Sequence, residues 1–224
     1  MWIDDCVLAQ CAQPFYLTTW VPDFVKVVLG SSNQVETEVQ VDSCAQDKVE
    51  VLKRYGGGGT VVLYPGCVIF SFGMWVRHLY RNDQYFAGIN RSLIACLESG
   101  FPAFAGKLSQ QGISDLAYEK RKICGSSLFR SKQYLLFQGS LLVEDGLVWI
   151  DRYLQHPSKE PAYREGRSHG DFVTFLAQHA LVTPVQIQHH LANQLPYFLK
   201  TEMGAELVQP DVEHIPYLVE KGVK

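Results

Sequence analysis

The sequence predicts one α+β domain in which a mixed β-sheet is flanked by helices. Three observations carry that expectation. The β-rich runs fall in two blocks instead of alternating singly with helices, helical periodicity is strongest in the middle and at the end, and no repeat, low-complexity tract or Pro/Gly/Ser linker divides the 224 residues. With 47% hydrophobic and 12% aromatic residues, such a chain can bury a sizeable core as a single unit.

Taken in order, residues 2 to 12 can form a short helix, with Trp2 above Cys6 and Ile3 above Val7. Strand-like runs at 15 to 20 and 26 to 29 follow, and Gly30, Ser31, Ser32 and Asn33 break the pattern. A helix through Val35 and Val39 precedes three β-rich runs at 49 to 54, 60 to 64 and 67 to 72, with Gly56 to Gly59 between the first two. Between Gln84 and Leu97 the residues Phe86, Ile89, Leu93, Ile94 and Leu97 keep helical spacing, and Gly100 with Pro102 stops that helix, which should lie against the sheet. The second β block reads ISDLAY, RKICG and YLLFQGSLLV, before an apolar helical turn at Leu147 to Leu154. Thr183 reads as an N-cap, Pro184 as the first helical residue and Gln186 as the capping-box partner, with Val185, Leu191, Leu195 and Phe198 as apolar contacts, so the chain should end in helix.

Charge and cysteine usage narrow the function classes. Twenty Lys and Arg against 23 Asp and Glu leave a net charge of -3 without a basic run, which argues against a nucleic-acid partner. The opening MWIDDCVLAQ lacks the apolar core of a secretory signal, and no stretch approaches the ~20 apolar residues of a membrane span, so the expectation is a cytoplasmic protein without a membrane partner. Cys6, Cys11, Cys44, Cys67, Cys96 and Cys124 sit at irregular spacings without a CxxC pair, which suits reduced core thiols better than disulfides or zinc. His189 and His190 have no metal spacing to another ligand and read as surface or packing residues, so no metal site is expected from the side chains.

Two places carry chemistry. The four glycines after Lys53, Arg54 and Tyr55 imply a backbone with positive φ or a very close neighbour, such as a long acyl chain or a nucleotide; a loose hairpin turn is the plainer alternative. The spacing fits neither GxGxxG nor a P-loop. Lys122, in RKICGSS, is either a solvated charge on a strand edge or a fixed ammonium that neutralises charge growing on a phosphate or carbonyl oxygen. Strand alternation puts Cys124 on the face of Lys122, where a neighbouring cation would lower its pKa and make it a nucleophile. Arg164, Arg167 and His169 could meet a phosphate or an acidic partner, but a solvated helix start is the simpler reading.

These residues carry a resemblance. KRYGGGGTVVLYPGCVIFSF is similar to the RRxxGGGxVxHDxGNxxxSF signature of lipoate-protein ligases and octanoyltransferases, and GISDLAYEKRKICGSS resembles their GRNDL…GKKISGSA. MWIDDCVL, VVLGSSN and FQGSLLV resemble three further family segments, in the family's order, over about residues 1 to 176. The resemblance implies a class II biotin/lipoate ligase-like catalytic domain spanning 1 to 224, with 177 to 224 as a helical C-terminal part; by domain size, the expectation is no separate accessory domain of the kind long bacterial ligases carry. It also implies that a lipoyl or octanoyl group is attached to a lysine of a lipoyl carrier domain, of the E2 subunit or H-protein type, through an acyl-adenylate. ATP and Mg2+ would then be required, and a separate accessory chain would join the partners if adenylation needs one.

By position, Arg54, Gly57, Gly58 and Gly59 would line the acyl and adenylate pocket, with Gly125 and Ser126 beside it. Lys122 would contact the acyl carbonyl and phosphate, and Asp115 would help to place nucleotide and metal. The sequence departs from the family at Leu63 and Tyr64, at Gly66 and Cys67, at Ser114, and at Phe137 and Gln138 where the family has His-His. Cys124 replaces a serine, which raises an alternative: a cofactor-free octanoyl or lipoyl transferase working through a cysteine thioester. A non-catalytic protein that binds lipoate or the carrier is the third reading.

Overall fold

A computed structural model describes residues 3–79 and 81–222. The chain opens with α1 (Ile3–Leu8), shorter than expected because residues 9 to 12 continue as turns; Trp2 lies outside the described residues. β1 (Phe15–Trp20) and β2 (Lys26–Leu29) stand where the periodicity put them. The helix expected through Val35 and Val39 is two short ones, α2 (Val35–Glu38) and α3 (Val41–Asp47). The break has a tertiary cause: Val39 is extended and bridges to Leu154, and the Gln40 N–H donates to the Tyr153 carbonyl, so a distant segment takes up these backbone groups.

β3 (Glu50–Lys53), β4 (Val61–Leu63) and β5 (Cys67–Trp75) follow, then α4 (Asn82–Gly100). β6 (Leu108–Gln111) was not foreseen, because LSQQ has no apolar alternation, and it is an edge strand. Next come β7 (Asp115–Tyr118), β8 (Arg121–Ser131), β9 (Tyr134–Leu142), α5 (Leu147–Tyr153), the single-turn α6 (His169–Phe172), α7 (Pro184–Met203) and α8 (Ile215–Gly222). The capping box of α7 is present in both directions: the Gln186 N–H donates to Thr183 Oγ1 and the Thr183 N–H to Gln186 Oε1. Leu191 and Leu195 are buried and Phe198 partly so, whereas Val185, expected among the contacts, is exposed.

The strands form two sheets. Six run antiparallel in the order β1-β5-β9-β8-β7-β6, and three form a small sheet β3-β2-β4. The mixed character is confined to the small sheet, where β3 is parallel and β4 antiparallel to β2. Because β2 lies between β3 and β4, the glycines do not form a hairpin turn. They cross over one strand instead.

The faces of β5 show how the layers stack. Val68, Phe70, Phe72 and Met74 point into a core shared with Ile89 and Leu93 of α4 and Leu191 and Leu195 of α7. Cys67 and Ile69 point the other way, toward Val27 and Val62 of the small sheet and Ile150 of α5. β5 and β9 are therefore buried on both faces, which explains their nearly continuous apolar runs. On this second face, between the two sheets, lies the functional region.

Candidate functional site

The key geometry begins with an irregular pairing. β7 pairs Leu116 with Cys124 but Ala117 with Lys122, so Ile123 is an extra residue on β8, a β-bulge. The bulge breaks the alternation that would have put Lys122 and Cys124 on one face. Ile123 and Cys124 both enter the core beneath α4 and α7, while Lys122 faces the inter-sheet side. That expectation is therefore corrected. Cys124 is 1% exposed and lines neither of the two cavities described below, and burial pushes its thiol up to about 12 despite the nearby ammonium.

Lys122 Nζ lies 2.8 Å from Asp115 Oδ1. Asp115 is buried, and its second oxygen accepts the Tyr163 hydroxyl at 2.8 Å. Burial and the Asp115 charge hold the Tyr163 phenol well above its ordinary range, so it stays a donor. The backbone of Lys122 is also pinned from afar: it bridges to Val173, and the Thr174 N–H donates to its carbonyl at 2.9 Å.

The glycine loop is held by Arg54. This buried guanidinium donates through Nη2 to the carbonyls of Gly57 at 2.8 Å and Gly59 at 2.7 Å, and through Nη1 to Val28 at 3.3 Å. Burial lowers it to about 10, still a cation at neutral pH. Gly58 has φ +95°, and its carbonyl sits only 2.1 Å from where a Cβ on Gly30 would lie. These two glycines are required by backbone conformation and by a close backbone approach. Asp4, fully buried in α1, accepts the Tyr55 N–H at 2.8 Å next to this loop, and burial raises its carboxyl to about 6.

Two cavities meet at Lys122. The first, of about 90 Å³, has an apolar side made by Val28, Val61, Leu63 and Ile69, and its lining also includes Arg54, Gly59, Asp115, Lys122, Gly125 and Ser126. The second, of about 190 Å³, shares Gly59, Asp115, Lys122 and Gly125 with it and continues past Lys159, Arg164 and His169. Both far exceed the roughly 10–15 Å³ that one water needs. The glycine bend and the Lys122 ammonium thus face one space. Gly57 and Gly58, expected as lining, are not among the lining residues; they shape the loop by giving Arg54 its acceptor and turning the chain.

Four polar atoms in this region are buried without a hydrogen-bond partner in the protein: Arg164 Nη2, Gln138 Oε1, Ser71 Oγ and Asp4 Oδ1. Leaving such an atom unpaired costs about 1–3 kcal/mol, so they point to where a ligand or water is met. Arg164, read from the sequence as a solvated helix start, is 5% exposed and lies with its guanidinium 4.7 Å from the Phe172 ring centre. His169 beside it pairs with Asp151 at 3.2 Å, and burial followed by the Arg164 charge lowers its pKa. The only hint in the sequence was the aromatic, arginine and glycine mixture of YREGRSHGDF. His190, by contrast, packs on Phe101 and lies 2.7 Å from the Cys96 carbonyl, a packing residue as expected.

Among the described residues, no group of three or more His, Cys, Asp or Glu could hold a metal, and no helix is long and apolar enough to cross a membrane. All six cysteines are free, five of them buried.

Comparison with known proteins gives the lineage. The chain is 27% identical over 129 residues to the "probable lipoate-protein ligase A" of Mycoplasma pneumoniae, covering 57% of this chain and 36% of that protein. It is 29% identical over 136 residues to the lipoate-protein ligase A of Psychrobacter cryohalolentis, covering 59% and 37%. The match thus spans little more than a third of these relatives' length. Among solved structures, the bipartite lipoate protein ligase of Thermoplasma acidophilum, described with its E2 lipoyl domain, superposes with a TM-score of 0.73 at 16% identity over 97% of this chain and 86% of that one. A lipoate-protein ligase A bound with ATP gives 0.72 at 18% identity over the same shares. The model of the lipoyl protein ligase A/B catalytic domain matches residues 1–195, and the chain belongs to that family.

Proposed function

We propose that this chain joins a lipoyl or octanoyl group to a lysine of a lipoyl carrier domain through an acyl-adenylate. The observation that carries this reading is the position of Lys122, whose ammonium belongs to the walls of both cavities. The apolar compartment suits an acyl tail, and the basic one suits the phosphates of ATP. The carboxylate to be activated and the α-phosphate would meet between them, against the ammonium.

In the first step an acyl carboxylate oxygen attacks the α-phosphorus and the bond to pyrophosphate breaks. In the second the carrier lysine's amine attacks the acyl carbonyl and AMP leaves with the bonding pair. Negative charge grows on oxygen in both steps, and a preorganised cation stabilises it. Asp115 and Tyr163 hold that cation in place, Arg164 Nη2 offers the phosphates an unused donor, and Arg54 keeps the glycine loop's carbonyls turned away from them. Mg2+ fits as the companion of the phosphates, a mode that needs only one or two carboxylates, with Asp115 the carboxylate at hand. It would neutralise phosphate charge there.

The thioester route finds less support, since a nucleophilic cysteine must be reachable and readily ionised. Cys124 and Cys67 are both buried, and burial pushes both up to about 12. The test is pyrophosphate release on mixing the protein with lipoate, ATP and Mg2+, alone and with an accessory chain of the bipartite kind. Release that Lys122→Ala abolishes supports the proposal; no release in either mixture overturns it.

A further inference from the structure

The first cavity has a direction that the sheet registers reveal. In-register residues of neighbouring strands share a face, so Ile69, Ser140 and Gly125 form one row across β5, β9 and β8. Ser71, Gln138 and Ser127 form the next row, and Gly73, Leu136 and Phe129 the third. All of the first row lines the cavity, as do Gln138 and Ser127 of the second, and none of the third does. Beyond the second row Phe129 packs on Tyr55 at 5.6 Å and Leu136 is fully buried, which closes the space. Lys122 therefore stands at the mouth and Gln138 at the floor, with successive rows about 7 Å apart.

That floor is polar where a hydrocarbon tail would want it apolar. Gln138 is 7% exposed and Ser71 fully buried, and Gln138 Oε1 and Ser71 Oγ have no protein partner. Gln138 Oε1 is an acceptor without a donor, and Oδ1 of the neighbouring Asp4 is unpaired as well, so this end of the cavity presents acceptors that lack a donor. An acceptor at the end of an acyl cavity is satisfied by a tail that brings a donor to it.

We infer that the floor at Gln138, backed by the buried Ser71, selects an acyl group with hydrogen-bond donors at its far end, the reduced dithiol of dihydrolipoate, over a plain octanoyl chain or the disulfide ring of lipoate. The inference rests on the proposed acyl site, and it deepens that reading by naming the redox form taken. Dihydrolipoate carries two S–H donors, whereas octanoate and lipoate carry none at that end. The distinction is therefore chemical, because all three acids share an eight-carbon chain.

Binding is measured by calorimetry with octanoate, lipoate and dihydrolipoate, the last under reductant, and with biotin as an acid of different shape bearing N–H donors. Dihydrolipoate should bind the wild type at least about fivefold more tightly than octanoate or lipoate, because those acids leave the acceptor unpaired. Gln138→Met, with Gln138→Leu as a second variant should the first misfold, should narrow the difference to less than about twofold, chiefly by tightening octanoate and lipoate, which no longer leave an acceptor unpaired. Equal binding of the three acids, a preference that survives both substitutions, an ordered water alone on Gln138 in the dihydrolipoate complex, or tighter binding of biotin overturns the inference and leaves the acyl site standing. If none of the acids binds, the acyl site itself falls, and this inference with it.

Discussion

Lys122 and Cys124 are two residues apart on one strand yet belong to opposite faces of the sheet, because Ile123 is the extra residue of a bulge. The ammonium is thereby delivered to the cavities and the thiol to the core. The consequences of that split can be measured.

Lys122→Ala should reduce turnover about 10²- to 10³-fold, the usual loss when a donor to a developing oxyanion is removed. The substitution also leaves the buried Asp115 with only the Tyr163 hydroxyl as partner, so stability should fall too, by about 1–3 kcal/mol. Steady-state kinetics beside denaturant unfolding separates the two effects, and comparable losses of fold and activity would argue against a catalytic role.

Cys124→Ala should keep more than about half of the wild-type turnover, since the thiol lines neither cavity of the site and a thiolate is strongly disfavoured there. In the native protein, iodoacetamide followed by peptide mass mapping should label Cys6, which is only partly buried, well before Cys124. Rapid labelling of Cys124, or an acyl adduct on it, would revive the thioester route.

Arg54→Met should cost about 3–5 kcal/mol, because three backbone carbonyls lose their donor and Asp4 loses its neighbouring cation. Gly58→Ala should cost at least about 1 kcal/mol, since φ +95° strains any residue with a Cβ. Urea unfolding measures both, and a neutral Arg54→Met would show that the loop holds its own shape.

Asp4 makes stability depend on pH in the direction opposite to an ordinary paired carboxylate. Its carboxyl is raised to about 6 in the fold from 3.8, so between those values the folded chain binds the extra proton and is favoured. Its contribution is fully present below pH 3.8 and is lost as pH rises through 6, a change of up to about 3 kcal/mol. Subtracting the pH profile of Asp4→Asn from that of the wild type isolates it. A difference that instead grows with pH over this window would contradict the assignment.

Much of this was legible in the residues, for reasons that differ from place to place. Long periodic segments such as α4 and the capped start of α7 announce themselves, and the order of the motifs brought Arg54, Asp115 and Lys122 together before any coordinates. Spacing alone does not reveal a bulge, because alternation counts residues and a bulge is a property of pairing; that is why Cys124 was misplaced. The break at Val39 and the burial of Arg164 on Phe172 are long-range contacts that leave no local period. Gln138 was hidden in a run that reads as uniformly buried, and only the registers show that it ends a cavity.

The most direct test is a crystal structure with a non-hydrolysable lipoyl-adenylate analogue. The acyl carbonyl and phosphate should lie within hydrogen-bond reach of Lys122 Nζ, with the tail running past Ile69 toward Gln138 and the phosphate facing Arg164. An analogue seated elsewhere, or one whose tail occupies the basic compartment while Lys122 stays paired to Asp115 alone, would contradict the account.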